Sequence, residues 1–194
     1  ICDGDGSSCT DLIEQQIALS NGWNMISFNV VPDDKSLLNS SGDEGILSGL
    51  ASSNNLVKVI DEGGDIIEYL SFLNQWYDGI GNMENTEGYY IRVNSSDNLN
   101  VSGAIIDLTN DSLEISLSQG WNMISYPAQN SQNALNVLEK LIDEQSLVKV
   151  INEAGDIIEY LSFLGQWYNG INDFNPGEGY YVRVNQETTL KIGE

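Results

Sequence analysis

The chain has 194 residues, of which 7 are Lys or Arg and 29 are Asp or Glu, so its formal net charge is −22. A charge of this size and sign disfavours nucleic acid and anionic lipid surfaces as partners. Hydrophobic residues make up 41% of the chain, yet no apolar run approaches the ~18 residues of a membrane-spanning helix. We therefore expect a folded protein that binds no nucleic acid and does not insert into membranes.

The first 14 residues form a tail rich in Asp, Gly and Cys, with Cys2 and Cys9 close together. This spacing, in a segment with little else to bury, predicts a small disulfide loop and hence an oxidising, extracellular compartment. Two incidental thiols, or half of a larger Cys framework upstream, are the alternatives. Because the chain begins at Ile1 without an initiator Met, we expect it to be part of a longer, processed protein.

The same tail places oxygen-bearing side chains at positions 1, 3, 5, 9 and 12 of an EF-hand-like loop: Asp3, Asp5, Ser7, Asp11 and Glu14. Hard oxygen ligands at this spacing suit Ca²⁺. The pattern departs from an EF-hand at Ser8, where Gly is expected, and at Thr10, where an aliphatic residue is expected. A calcium site and a simple acidic linker are therefore equal alternatives.

Three blocks of the first half recur in the second half in the same order: Ile17–Ser27 as Ile115–Ser125, Leu56–Ile80 as Leu147–Ile171, and Glu87–Asn94 as Glu178–Asn185. The middle block has 25 residues and differs at only four positions. Such self-similarity predicts two homologous modules that follow each other along the chain. We divide the chain into a tail (1–14), module one (15–105), a linker (106–111) and module two (112–194).

The first predicted element of each module is a hairpin. In module one, Asn21 and Gly22 separate two β-rich runs, as a two-residue type I′ turn would. Another hairpin is predicted at the end of the module, beginning at Gly88 and returning through residues 99–101.

Between these two hairpins, residues 57–69 predict a third hairpin whose register can be argued. A three-residue loop of residues 62–64 sets Lys58 opposite Glu68 and apolar residues opposite each other. Such loops usually end in a residue with positive φ, and Gly64 occupies that position.

One helix is predicted in each module. In module two, Ser131 precedes a run with one apolar face, formed by Ala134, Leu135, Leu138, Leu141 and Ile142. In module one, Gly42 and Gly45 interrupt the equivalent stretch, so that helix should be shorter or broken. The predicted fold is mainly β (α+β), with two tandem homologous modules, each a small curved sheet or partly open barrel with one short helix.

The residue types argue against most kinds of catalysis. The absence of histidine removes Ser–His and Cys–His nucleophile pairs and His-ligated zinc sites, and no Gly-rich phosphate-binding loop is found. Carboxylate-pair chemistry would need a cleft with clustered acidic side chains, for instance between the modules. We expect no enzymatic activity.

Two Trp-Tyr pairs are the best candidates for ligand contacts. Each pair lies in a polar stretch that predicts an irregular loop, comprising Gln75, Trp76, Tyr77 and Asp78 in module one and Gln166, Trp167, Tyr168 and Asn169 in module two. Flat aromatic faces beside amide and carboxylate groups suit the C–H faces and hydroxyls of sugars, or a protein partner. A loop anchored by a buried Trp is the alternative.

The remaining aromatic and basic residues predict structural roles. Trp23 and Trp121 lie on strands beside tight turns, so we expect them to pack in the core or against the turn. One Tyr of each Tyr-Tyr pair should be buried, because successive strand residues point to opposite faces. The basic residues at matched repeat positions are expected to form ion pairs with carboxylates. They are Lys58, Lys149, Arg92 and Arg183.

Residues 22–27 (GWNMIS) and residues 176–180 (PGEGY) carry a resemblance to a known family. They resemble the GWN-type repeats, GWN-[LM]-IS followed by PGxGY, of large secreted bacterial surface proteins. The tail resembles the end of the CGVCDGDGSSC-type linkers of such proteins. Module one departs from the pattern, since residues 85–88 (NTEG) lack the Pro-Gly. The resemblance implies an extracellular location, no catalysis, and other domains of the same polypeptide as neighbours.

Together these observations predict a non-catalytic extracellular binding or adhesion module of a larger secreted or cell-surface bacterial protein. Its expected partner is a glycan or a surface protein, with one carbohydrate-binding site in each module. The alternative is a structural spacer or a fibre-assembly module that calcium stabilises.

Overall fold

The computed structural model describes residues 12–106, 108 and 113–193. The predicted disulfide partners and four of the predicted calcium ligands lie outside the described residues: Cys2, Cys9, Asp3, Asp5, Ser7 and Asp11. The fifth, Glu14, is an exposed residue of the first strand, where it pairs with Ser102. That strand begins at Leu12, so the last residues of the predicted tail are part of a sheet.

The strands and helices follow a similar order in both modules, but module two has a second helix and one additional short strand. Module one contains β1 (Leu12–Leu19), β2 (Gly22–Ile26), β3 (Val30–Val31), α1 (Ser48–Ser52), β4 (Leu56–Ile60), β5 (Ile66–Leu70), β6 (Gln75–Asp78), β7 (Tyr89–Val93) and β8 (Asp97–Ile105). Module two contains β9 (Leu113–Leu117), β10 (Gly120–Ser125), β11 (Gln132–Asn133), α2 (Ala134–Val137), α3 (Glu139–Asp143), β12 (Leu147–Ile151), β13 (Ile157–Leu161), β14 (Gln166–Asn169), β15 (Asp173–Phe174), β16 (Gly179–Val184) and β17 (Thr188–Ile192).

A five-stranded antiparallel sheet is the largest element of each module. Its strand order is β2-β7-β4-β5-β6 in module one and β10-β16-β12-β13-β14 in module two. Smaller sheets accompany it, β1-β8-β3 in module one and β9-β17 and β11-β15 in module two. The predicted fold class is confirmed, since both modules are mainly β with open sheets.

Each module has its own hydrophobic core. The inward positions of the five-stranded sheet of module one are in register, because Val59 pairs with Ile67 on one side and with Ile91 on the other. All three side chains are buried, as are Phe28 and Tyr89. The core of module two uses the matching positions, so the duplicated sequence builds the same interior twice.

The helices only partly match the prediction. In module one, α1 is a single short turn, as expected from the glycines before it. In module two the helix forms over the predicted residues, and a break at Leu138 divides it into α2 and α3. Its cap is Asn133, whose side chain accepts a hydrogen bond from Leu135 N at 3.0 Å, whereas the Ser131 hydroxyl bonds Asn175.

The hairpin of β4 and β5 has the predicted register. Lys58 pairs with Glu68, and their Nζ and Oε2 atoms lie 3.0 Å apart. Module two repeats the contact between Lys149 and Glu159 at 3.1 Å. Gly64 has the positive φ (+87°) that this loop needs and that L side chains rarely adopt.

The other two predicted hairpins are wrong, because the chain changes sheets at those turns. Strand β1 pairs with β8, whereas β2 pairs with β7, so neither β1 and β2 nor β7 and β8 are partners. The side chain of Asn24 holds the chain at the first of these changes of sheet, which we call the corner between β1 and β2. Its Oδ1 accepts from Ser20 N at 2.7 Å and its Nδ2 donates to Ser20 O at 2.9 Å. These bonds satisfy backbone groups that a hairpin ladder would otherwise pair.

Candidate functional site

The predicted sugar-binding residues lie on a strand and not in an irregular loop. Residues 75–78 form β6, the edge strand of the five-stranded sheet. Trp76 is only 8% exposed and belongs to the core of module one, with Tyr69 packed edge-on against it at 5.5 Å. Trp167 is half-buried and packs against the core of module two. Both indoles therefore serve as packing residues of the cores.

The polar neighbours of these tryptophans also have structural roles. Asp78 Oδ1 accepts from Ile80 N at 2.9 Å and from Gly81 N at 2.7 Å, so it holds the turn after β6. Asn169 holds the equivalent turn through Asn172. The predicted residues that remain exposed are Gln75, Gln166, Tyr77 and Tyr168.

The outer face of the five-stranded sheet carries the exposed tryptophans instead. Trp23 is 42% exposed and Trp121 is 45% exposed, so the expectation that they pack in the core is wrong. Asn24 points inward, where its side chain bonds the backbone of Ser20 at the corner. Neighbouring strand residues alternate between faces, so Trp23 points outward. Trp23 and the buried Ile26 are an odd number of residues apart on one strand, so strict alternation places them on opposite faces. This was the sequence signal that favoured an outward Trp23.

An arginine accompanies each of these tryptophans. Trp23 pairs with Arg92 on β7, and the guanidinium lies over the indole, 5.9 Å from the ring centroid. Arg183 and Trp121 repeat this cation–π contact at 5.9 Å. Among the described residues neither arginine forms an ion pair, so the expected ion pairs occur only at the two lysines.

The outer faces of the two five-stranded sheets meet at the module boundary, where their aromatic side chains form one continuous row. Ring centroids lie 6.0 Å apart for Trp23 and Tyr90, 5.8 Å for Tyr90 and Tyr181, and 6.0 Å for Tyr181 and Trp121. We call these four residues the aromatic strip. Beside Trp121 and Tyr181, Ile151 completes a small cleft of about 270 Å³. Sequence reasoning missed the strip because the contact between the two tyrosines exists only after the modules pair.

The hydroxyl groups of the strip are neutral hydrogen-bond donors. Burial raises the pKa of Tyr90, and the nearby Tyr181 and Glu153 raise it further. Burial also raises the pKa of Tyr181. Both tyrosines are half-buried, so each keeps part of its side chain accessible to a ligand.

A cleft of about 410 Å³ lies at the module boundary, lined by residues that include Met25, Glu153 and Glu178. Glu153 Oε2 accepts from Met25 N at 2.6 Å, and Glu178 Oε2 accepts from the Tyr180 hydroxyl at 2.7 Å. Both carboxylates therefore bind structural partners. Within the described part of the chain, no group of three or more Asp, Glu, Cys or His side chains could hold a metal ion.

A larger groove of about 780 Å³ lies on module one between α1 and β8. Asp34 and Asp97 line it, and both are engaged by neighbours, Asp34 with Ser36 and Asp97 with Asn55. The Ser36 contacts hold the pKa of Asp34 below its usual value. The groove therefore presents carboxylates that already serve the local fold.

Neither protein-family models, nor curated proteins, nor solved structures match this chain. Among residues 12–106, 108 and 113–193, no helix combines the length and the hydropathy that a membrane-spanning segment requires.

Proposed function

We propose that this protein is a non-catalytic extracellular glycan-binding module whose ligand lies along the aromatic strip. The observation that carries the proposal is the continuous row of four rings, flanked by two arginines, on an open sheet face. Aromatic faces pack against the C–H faces of sugar rings, while tyrosine hydroxyls and guanidinium groups bond sugar hydroxyls. The strip supplies both kinds of contact within one surface.

The identity of the strip in the two modules supports a ligand-binding role. Residues 22–27 are identical to residues 120–125, and both copies keep the outward Tyr and Arg of the GYY-x-RVN block. By contrast, residues 31–55 and 127–146 differ in length and sequence between the two modules. Folding does not require an exposed tryptophan, so retention of both indoles points to a contact outside the module.

The proposed site is shared, with one strip for two modules in place of one site in each. Because Tyr90 and Tyr181 are neighbours, the two halves form a single surface that suits several consecutive sugar rings. We expect an extended oligosaccharide to bind with one ligand per chain.

Affinity gel electrophoresis with soluble glucans, xylans, mannans and pectins tests the proposal. At least one polysaccharide should retard the intact protein, and Trp23→Ala/Trp121→Ala should migrate without retardation. Tyr77→Ala/Tyr168→Ala is the matched control, because these rings are similarly exposed but lie outside the strip. Near-ultraviolet circular dichroism verifies that each variant is folded. No retardation by any polysaccharide, or equal retardation of the strip variant, would contradict the proposal.

A second candidate function is a spacer or assembly module, and the tips of the β5–β6 and β13–β14 hairpins favour it. These tips expose large apolar side chains: Phe72 (78%), Leu73 (52%), Phe163 (79%) and Leu164 (55%). Exposed apolar pairs of this kind suit a protein contact. Under this candidate, calcium bound by the tail would stiffen the spacer.

Sedimentation velocity over a concentration series tests the second candidate. If the tips mediate assembly, the intact protein should self-associate in high salt, where its net charge is screened. Replacing all four apolar tip residues with Ser should then leave it monomeric. Monomeric behaviour of the intact protein at every concentration, with and without calcium, would argue against assembly by this route.

A further inference from the structure

The boundary between the two modules is nearly two-fold symmetric. Ile26 of β2 bridges to Glu178 of module two, and Ile124 of β10 bridges to Glu87 of module one. These residues occupy matching positions of the repeat. The same patch of each module therefore contacts the same patch of the other, which is the arrangement of an isologous dimer.

Two backbone hydrogen bonds across this boundary are also reciprocal. Ser27 N donates to Gly177 O at 2.9 Å, and Ser125 N donates to Thr86 O at 3.2 Å. The two Ser hydroxyls also donate to backbone carbonyls of the other module, but at different repeat positions: Ser27 to Glu178 O at 2.7 Å, and Ser125 to the carbonyl of Asn85, two residues before the counterpart of Glu178. All four acceptors are backbone carbonyls. The change from Thr86 to Gly177 therefore leaves the backbone bond in place, whereas the hydroxyl bonds differ between the two sides.

Close approach at two glycines completes the symmetry. A Cβ atom at Gly88 would lie 2.8 Å from Met123 Cγ and 2.9 Å from Ile124 O. At Gly179 the matching distances are 2.9 Å to Met25 Cγ and 3.0 Å to Ile26 O. In each module, a glycine thus lies directly against the Met and Ile residues of β2 or β10 in the other module. We call these two residues the Met-Ile edge. Both copies keep the glycine and the Met-Ile pair.

We propose that this boundary is a general pairing surface of the repeat, whose partner is another copy of the same repeat from this chain or from a second one. The linker is then a tether that raises the effective concentration of the partner, while the contacts themselves are self-complementary. Like modules can pair with each other through the contacts that join module one to module two. Pairing brings Tyr90 and Tyr181 together, so a lone repeat carries only half of the aromatic strip.

A cleavable form of the whole chain tests pairing. A protease site is inserted in the linker, the folded protein is cut, and unlabelled and ¹⁵N-labelled samples are mixed, unfolded in urea and refolded. Native mass spectrometry then identifies the pairs. We expect pairs of two copies of module one (one–one) and pairs of two copies of module two (two–two), in addition to pairs that contain one of each (one–two). Recovery of one–two pairs alone, or of single modules alone, would overturn the proposal.

A paired-variant measurement needs no refolding. In the cut protein, Gly88→Ala/Gly179→Ala should separate the modules on size exclusion, because each added methyl meets the Met-Ile edge of the other module. Gly49→Ala is the control, since no neighbouring atom lies within 4 Å of its added Cβ, and its modules should elute together. Co-elution of the modules in the double variant would also overturn the proposal. Neither measurement uses a glycan, so failure of pairing and failure of glycan binding are distinguishable.

Discussion

Trp23 and Trp76 occupy opposite environments, and each contradicts the environment that its neighbouring residues suggest. Trp23 lies just before the apolar strand residues Met25 and Ile26, yet it is 42% exposed. Trp76 is surrounded by Asn, Gln and Asp, yet it is 8% exposed. The difference shows that the polarity of the flanking residues does not decide which indole is buried. The face of the sheet to which each side chain points decides it.

Replacing the two tryptophans separately should give the largest contrast. Trp76→Ala removes a buried ring and should lower the free energy of unfolding by about 3–5 kcal/mol. Trp23→Ala removes an exposed ring with one cation–π contact and should lower it by about 1 kcal/mol or less. Urea unfolding followed by far-ultraviolet circular dichroism measures both. Equal losses would mean that the exposure of the two indoles has been misjudged.

The corner formed by Asn24 sets the outward direction of Trp23, and breaking it should have the next largest effect. Asn24→Ala leaves the N–H and C=O groups of Ser20 without these partners, which should cost about 1–3 kcal/mol. Asn21→Ala, an exposed change in the same turn, is the control. Urea midpoints of the two variants should differ clearly. Similar midpoints would show that Asn24 does not hold the corner.

The module boundary beside the strip should respond to pH. Partial removal from water raises the pKa of Glu62 and of Glu87, and nearby carboxylates raise both further. The folded state therefore binds protons more tightly than the unfolded chain, so stability should rise as pH falls from 7 toward about 4.5. The carboxyls with lowered pKa lose their contribution only below that range.

Urea midpoints measured between pH 7 and pH 4.5 test this expectation. Glu62→Gln/Glu87→Gln should be more stable than the parent at pH 7 and should show a flatter pH profile. Glu139→Gln, a carboxylate on α3 away from the boundary, should leave the profile unchanged. A parent protein whose midpoint falls steadily over this range would contradict the assigned direction.

The ion pair of Lys58 and Glu68 lies on the same outward row as Trp23 and should contribute least. Both side chains are about one-third exposed, so the pair should add about 0–1 kcal/mol. A double-mutant cycle with Lys58→Met and Glu68→Gln measures its coupling energy. A coupling above about 2 kcal/mol would show that the row is a more rigid part of the fold than its exposure suggests.

The register of the β4–β5 hairpin could be predicted because it is local. Charge, apolar pairing and Gly64 are all found within a short stretch, and they agree on one alignment. The corners at Asn24 and after β7 could not be predicted. A β-rich run followed by a Gly turn is compatible both with a hairpin and with a change of sheet. The choice depends on β8, which lies far along the chain and competes for β1.

By itself, the sequence determined that the chain is duplicated, mainly β, and strongly acidic. It also determined the register of its most regular hairpin. These features depend on composition and on residues close together in the chain. The tertiary structure decided which tryptophans are exposed, where Arg92 and Arg183 lie, and that the strip crosses two modules. Each of these depends on contacts between residues distant in sequence, above all that of Tyr90 with Tyr181, which forms only when the modules pair.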